Sequence, residues 1–221
     1  MFHKVLGCGT VAVALAFGAS TTQAQNLLVN GSFESNTTTP NPITLAGVGQ
    51  GWSADFGSGP FTQSGAQAQS GSFSLLAQNA VGNNWNPQGS YQIVPATAGT
   101  TYNLSAYFLA PTALTGTYAT PIGVQLTFKD ASLADLGNAP GAAFVALGPI
   151  NTWYNYGVTG VAPAGTAYIA AYVWFMDNGQ TATDSVYIDN ASLTVVPEPT
   201  TLALAGLCGA AALSLIRRRN S

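Results

Sequence analysis

Along most of the chain apolar and polar residues alternate with a period of two. No stretch keeps a 3.6-residue period long enough for a packed helix. The alternating runs predict strands at Ser72–Gln78, Ser90–Val94, Thr101–Ala110, Ile122–Asp130, Thr152–Thr159, Thr166–Met176 and Asp184–Val195, with shorter ones at Leu27–Val29 and Gly51–Asp55. Between them lie turn-forming breaks such as Pro40-Asn41-Pro42, Asn86-Pro87, Ala98-Gly99, Pro163-Ala164-Gly165 and Asp177-Asn178-Gly179. Many strands at this spacing, without a repeat period, predict an all-β antiparallel sandwich.

Two strands declare their faces. In Tyr102–Phe108 one face carries Tyr102, Leu104, Ala106 and Phe108, and the other Asn103, Ser105 and Tyr107. In Tyr168–Met176 an ordinary core face (Ile169, Ala171, Val173, Phe175) backs onto Tyr168, Ala170, Tyr172, Trp174 and Met176. An aromatic row on a solvated sheet calls for an explanation. Two are open: a covering loop buries it, or it lines a binding surface. In the second case Tyr107, Tyr172 and Trp174 form a platform for the apolar C–H faces of sugar rings. Asn103 and Gln125 then contact hydroxyls, and Trp52 and Trp85 contribute from the rim. Trp153 opens its strand as a packing residue.

The pattern changes at both ends. Met1–Lys4 is a short basic start, followed by an apolar run of 13 residues from Val5 to Phe17 and a small-residue exit at Thr22-Gln23-Ala24. This predicts a secretory signal helix over 1–24. Cys8 has too little apolar sequence before it for a lipoprotein site. At the other end Pro197-Glu198-Pro199 breaks the chain, Thr200–Ile216 is an uncharged run of 17, and Arg217-Arg218-Arg219 closes it. That order predicts a single transmembrane helix with its basic end in the cytoplasm. The expected organisation is a signal segment (1–24), a β-sandwich domain (25–196) and a membrane-directed tail (197–221).

Charge narrows the chemistry. Charged residues are 6% of the chain, against about 25% in a typical soluble domain. Between Gln25 and Val196 seven acids face one lysine, Lys129, a net charge of −6. Such a surface repels phosphate backbones, which excludes nucleic acid as a partner. The same stretch has no His, Cys or Arg. Ser/His/Asp and Cys/His catalysis, His/Cys zinc sites and disulfides are therefore excluded there. Carboxylates are the remaining strong acid/base or metal-binding groups.

The Pro-Glu-Pro, apolar-run and Arg-cluster sequence from Pro197 resembles the PEP-CTERM sorting signal of Gram-negative bacteria. The resemblance implies export, a transient stay in the inner membrane, cleavage by an exosortase, and a cell-surface or matrix setting of exopolysaccharide and biofilm. A second resemblance lies in the domain. Asn26-Leu27-Leu28-Val29-Asn30-Gly31-Ser32-Phe33-Glu34 with Gly51-Trp52, and Ser185-Val186-Tyr187-Ile188-Asp189-Asn190-Ala191-Ser192-Leu193, are similar to the opening and closing segments of carbohydrate-binding modules with the galactose-binding-like jelly roll. This implies a jelly-roll β-sandwich. It also implies a structural Ca²⁺ held by Glu34 and Asp189, with carbonyls near Ser32 and Ser72. Asp177-Asn178-Gly179 and Asp184 form a further acidic loop that lacks full calcium-loop spacing.

Three functions follow from this reading. The first is an exported, non-catalytic protein that binds polysaccharide. The second is a structural matrix or adhesion protein without a sugar site. The third is a glycoside hydrolase working with carboxylates alone, for which Asp55, Asp130 and Asp177 are the candidates.

Overall fold

The computed structural model describes residues 24–35, 51–54, 61–79, 81, 88–140 and 144–197. The expected signal helix and membrane helix lie outside these residues, as do Trp85 and Asp55. Among the described residues no helix is long and apolar enough to cross a membrane.

Among the described residues eleven strands form two antiparallel sheets. The strands are β1 (Ser53–Ala54), β2 (Phe61–Ser64), β3 (Ser74–Asn79), β4 (Gln88–Pro95), β5 (Thr101–Leu109), β6 (Ile122–Lys129), β7 (Asp135–Asn138), β8 (Phe144–Val145), β9 (Tyr154–Val161), β10 (Tyr168–Phe175) and β11 (Asp184–Val195). The first sheet runs β1-β4-β10-β6-β7, with β8 also paired to β6; the second runs β2-β3-β11-β5-β9. All the longer expected strands form. The short β2, β7 and β8, of 4, 4 and 2 residues, are too brief to show a period of two, and pairing with neighbours rather than pattern makes them strands.

The period-two pattern places the core between the sheets. Ile122, Val124, Leu126 and Phe128 of β6 and Ile169, Ala171, Val173 and Phe175 of β10 point inward from the first sheet. Tyr102, Leu104, Ala106 and Phe108 of β5, with Val186, Ile188, Ala191 and Leu193 of β11, meet them from the second. The inward set on β11 changes parity after Ile188. A bulge between Asp189 and Ser192, with Asn190 at φ 48°, skips one residue. Without it Asn190 and Ser192 would face the core in place of Ala191 and Leu193.

That bulge also explains why Leu27–Val29 is no strand. One backbone bond joins Leu27 N–H to the Leu193 carbonyl (2.8 Å). Beyond it the side chain of Asn26 replaces the ladder. Its amide donates to the Ala191 carbonyl (3.0 Å), and its oxygen accepts the N–H groups of Leu193 (2.9 Å) and Leu28 (3.1 Å). Trp52 corrects a second expectation. It is not on a rim but 1% exposed in the core. Its ring lies 5.1 Å from that of Phe33, and its N–H donates to the Asn30 carbonyl (3.1 Å). The outward position next to it belongs to Ser53, whose register partner is Tyr91.

Candidate functional site

The aromatic row of β10 lies on the outer face of the first sheet. Tyr172 stands opposite Tyr91 of β4, with ring centroids 5.0 Å apart and planes inclined by 29°. Trp174, two residues along the same face, continues the stack at 5.2 Å and 12°. The three rings form one ladder, with Tyr91 and Tyr172 half-buried and Trp174 5% exposed. Both register partners of Trp174 are glycines, Gly89 and Gly123. A β-carbon added at Gly89 would run into the indole. Gly89→Val is accordingly expected to lift the Trp174 ring and separate it from Tyr172, read as a change in tryptophan fluorescence.

Beside the ladder runs a polar strip supplied by β6 and β7. Gln125 is the register partner of Tyr172, and Thr127 that of Ala170. The Gln125 amide donates to Thr127 Oγ1 (2.9 Å) and Asn138 Oδ1 (3.3 Å), while the Thr127 hydroxyl donates to the same Asn138 oxygen (2.8 Å). These bonds fix the strip. Among the described residues they leave the Gln125 carbonyl oxygen without a donor. The ion pair between Lys129 and Asp135 closes the far end.

Tyr107 and Asn103, expected in the same platform, are elsewhere. They lie on β5, on the outer face of the second sheet, and Asn103 accepts the Thr159 hydroxyl (2.8 Å). The whole core separates the two outer faces, so a single platform containing Tyr107, Tyr172 and Trp174 does not form. Alternation along each strand gave the correct face but not which sheet the strand joins. The ring missed from sequence is Tyr91. The signal for it was the period-two run Gly89, Tyr91, Ile93 in β4.

Glu34 and Asp189 meet at the loop between β2 and β3. Glu34 Oε1 accepts the N–H groups of Ser72 (3.0 Å) and Phe73 (2.9 Å). Asp189 Oδ2 accepts those of Gln69 (2.8 Å) and Ser70 (3.2 Å). Phe33, at φ 54°, turns the chain into Glu34 while its ring stays buried. Burial raises the Asp189 carboxyl above the ordinary value, and the nearby Glu34 charge pushes the same way against the backbone N–H groups that lower it. The cationic residue nearest in kind, Lys129, is committed to Asp135 in the other sheet.

A second acid pair sits past the Trp174 end of β10. Asp177 and Asp184 are 2% and 3% exposed. Asp184 holds the loop between β5 and β6, accepting Thr115 N–H (2.8 Å), Gly116 N–H (3.1 Å) and the Thr115 hydroxyl (3.1 Å). Asp177 accepts Asn178 N–H (2.8 Å) and packs so closely on Gly116 that a side chain there would collide with its carboxylate. Burial, and then a hydrogen bond to Asp184 with that group's charge, push Asp177 up to about 6 against the lowering effect of Asn178 N–H.

Asp130 instead caps the turn after β6 through Ser132 and Ala134, which lowers its carboxyl below the ordinary value. It adjoins Lys129, the partner of Tyr168 at one end of β10, whereas Asp177 follows the other end. At about 3.3 Å per residue the two are on the order of 25 Å apart. Carboxyl pairs in glycoside hydrolases stand about 5–9.5 Å apart.

Residues 195–219 match the PEP-CTERM protein-sorting motif. The motif marks an exported protein that is processed at the membrane by an exosortase. It begins on the last residue of β11, Val195, so the folded sandwich passes into the sorting signal without a linker. Its Pro197 is described; Glu198, Pro199 and Arg217–Arg219 lie outside the described residues.

The sandwich itself resembles carbohydrate-binding modules of jelly-roll fold. TmCBM61, solved in complex with β-1,4-galactotriose, matches at a TM-score of 0.50 and 16% identity, over 78% of this chain and 100% of that one. The CBM22-1–CBM22-2 tandem domain of Paenibacillus barcinonensis Xyn10C matches at 0.51 and 17%, over 81% and 49%. The enzymatically active domain of bacteriophage CBA120 tailspike protein 4 matches at 0.52 and 13%, over 77% of this chain. This chain spans only 21% of that tailspike chain. At these identities the likeness shows the fold. No curated protein matches the sequence.

Proposed function

We propose that the chain is a non-catalytic, cell-surface or matrix protein that binds polysaccharide on the outer face of the first sheet, in an exopolysaccharide or biofilm setting. The observation that carries this reading is the Tyr91–Tyr172–Trp174 ladder lying beside the Gln125–Thr127–Asn138 strip. Its rings are stacked 5.0–5.2 Å apart on the outer side of the sheet. Because the rings stack on one another, a sugar chain would run across their outward edges, and the Gln125 carbonyl would accept from a hydroxyl. The jelly-roll likeness supports the same class of ligand, and the distance between Asp130 and Asp177 argues against catalysis by that pair.

Calcium belongs to the proposal as a structural ion at Glu34 and Asp189. These two groups fit it in charge and donor type. They are like-charged carboxylates that meet at the β2–β3 loop, without a cationic partner among the described residues, and Ca²⁺ takes oxygen ligands of this kind. The ion would join the N-terminal segment to β11 and would take no part in sugar contact.

The test is calorimetric titration with a panel of soluble glycans. Tyr172→Ala is expected to weaken binding about tenfold to a hundredfold, since each factor of ten is about 1.4 kcal/mol and loss of ring stacking is of that order. Absence of heat with every glycan would remove the proposal. The near-complete burial of Trp174 favours a second reading, in which the ladder only stiffens the sheet of a structural matrix protein. In that case Tyr172→Ala changes stability alone.

A further inference from the structure

Sheet edges are hazards, because their outward N–H and C=O groups accept any passing strand. Folded proteins blunt them by shortness, charge or bulges. Among the described residues most edges here are treated in that way. β1 and β8 have 2 residues each, and β2 has 4. β7 also has 4, opens on the ion-paired Asp135, and is broken in register against β6. The edge strand β9 departs from all of this. It has 8 residues, paired to β5 from Thr101↔Val161 to Phe108↔Tyr154 without a break, and contains no proline and no charge. The uncharged stretch extends well beyond it, from Leu136 to Met176.

The open side of β9 can be read residue by residue. Ala162 N–H donates to the Thr100 carbonyl (2.9 Å), which continues the β5–β9 ladder. Residues of the same parity as Ala162 therefore point their backbone groups toward β5. Asn155, Gly157, Thr159 and Val161 point theirs away from the sheet, because the two directions alternate in an antiparallel ladder. All four are exposed, Val161 by 58%.

From this edge we infer that β9 is a self-association surface, on which a second copy of the chain pairs its own β9 in antiparallel fashion. Two-fold pairing about Val158 sets Asn155 opposite the partner's Val161 and Gly157 opposite the partner's Thr159. It satisfies the outward backbone groups of both strands at once. Charge selects this face for a second copy. A domain of net charge −6 repels itself across most approaches, and here two copies meet with no charge on either strand. Gly157 and Thr159 on the outer face add little bulk in the way of the joined sheet. The proposed sugar-binding face is on the other sheet, so the inference is independent of the proposed ligand.

Hydrogen exchange and light scattering on the full chain in detergent micelles test it. As protein concentration rises, the mass is expected to double. The amides of Asn155, Gly157, Thr159 and Val161 should slow by at least about tenfold together with it, while those of the neighbouring inward-bonded residues keep their protection. Thr159→Lys, a charge on the edge, is expected to return the chain to monomer without loss of β5–β9 protection. A monomer at every concentration overturns the inference. So does a dimer whose β9 amides stay fast, or one that survives Thr159→Lys and so pairs through the tail or another face. Protection of β9 that arises only on adding a different protein overturns it as well.

Discussion

Raising the pH from about 4 to about 7, in buffer with a calcium chelator, is expected to lower the stability of the sandwich by about 2–3 kcal/mol. The cause is Asp177, whose carboxyl is pushed from the ordinary 3.8 up to about 6 by burial and by Asp184 beside it. A group with a raised folded-state value contributes stability that is fully present below its unfolded value and is lost as pH climbs through the folded one. The loss therefore begins near pH 4 and is complete a little above pH 6. Asp189, also raised, adds a loss of the same sign. Among the described residues, the groups shown facing Asp177 include Asp184 at the start of β11, the Asn178 N–H and the Gly116–Tyr118 backbone, and none of these supplies a positive charge. Urea unfolding at a series of pH values measures the effect. Asp177→Asn keeps the Asn178 N–H bond and is expected to flatten most of the profile. Stability that rises over this window in the chelated protein would count against the buried pair.

Removing calcium at pH 7 is expected to have an effect of similar or greater size. An ion at about a thousand times its dissociation constant stabilises the folded state by about 4 kcal/mol. If, as proposed, an ion at Glu34 and Asp189 joins the N-terminal segment to β11, that stability should be lost on chelation and the melting temperature should fall. Glu34→Gln is expected to melt low with or without calcium. Magnesium, smaller and stricter in its geometry, should not substitute. Scanning calorimetry with and without chelator decides it, and unchanged melting in the wild-type protein would remove the ion from the account.

The longer strands and the core face of β5 and β10 were legible because period-two alternation is a local property of the chain. What depends on pairing was not. The assignment of Tyr107 and Tyr172 to different sheets follows from β5 lying next to β11 and β10 next to β4 and β6, which no single strand encodes. The parity change at Asn190 depends on one bulged residue, and the burial of Trp52 on Phe33 and Asn30 closing over it. Asp177 and Asp184 were visible as an acidic loop. Their burial together under Thr115 and Gly116 needed a third segment, between β5 and β6, that sequence spacing does not bring to them.

A glycan is expected to bind along Tyr91, Tyr172 and Trp174 and nowhere on the opposite face. Affinity electrophoresis in gels containing soluble polysaccharide tests it most directly, comparing the wild-type protein with Tyr172→Ala and Tyr107→Ala. Wild-type and Tyr107→Ala are expected to migrate with the same retardation, and Tyr172→Ala to run as it does in a gel without polysaccharide. Retardation that survives Tyr172→Ala but is lost in Tyr107→Ala would contradict it.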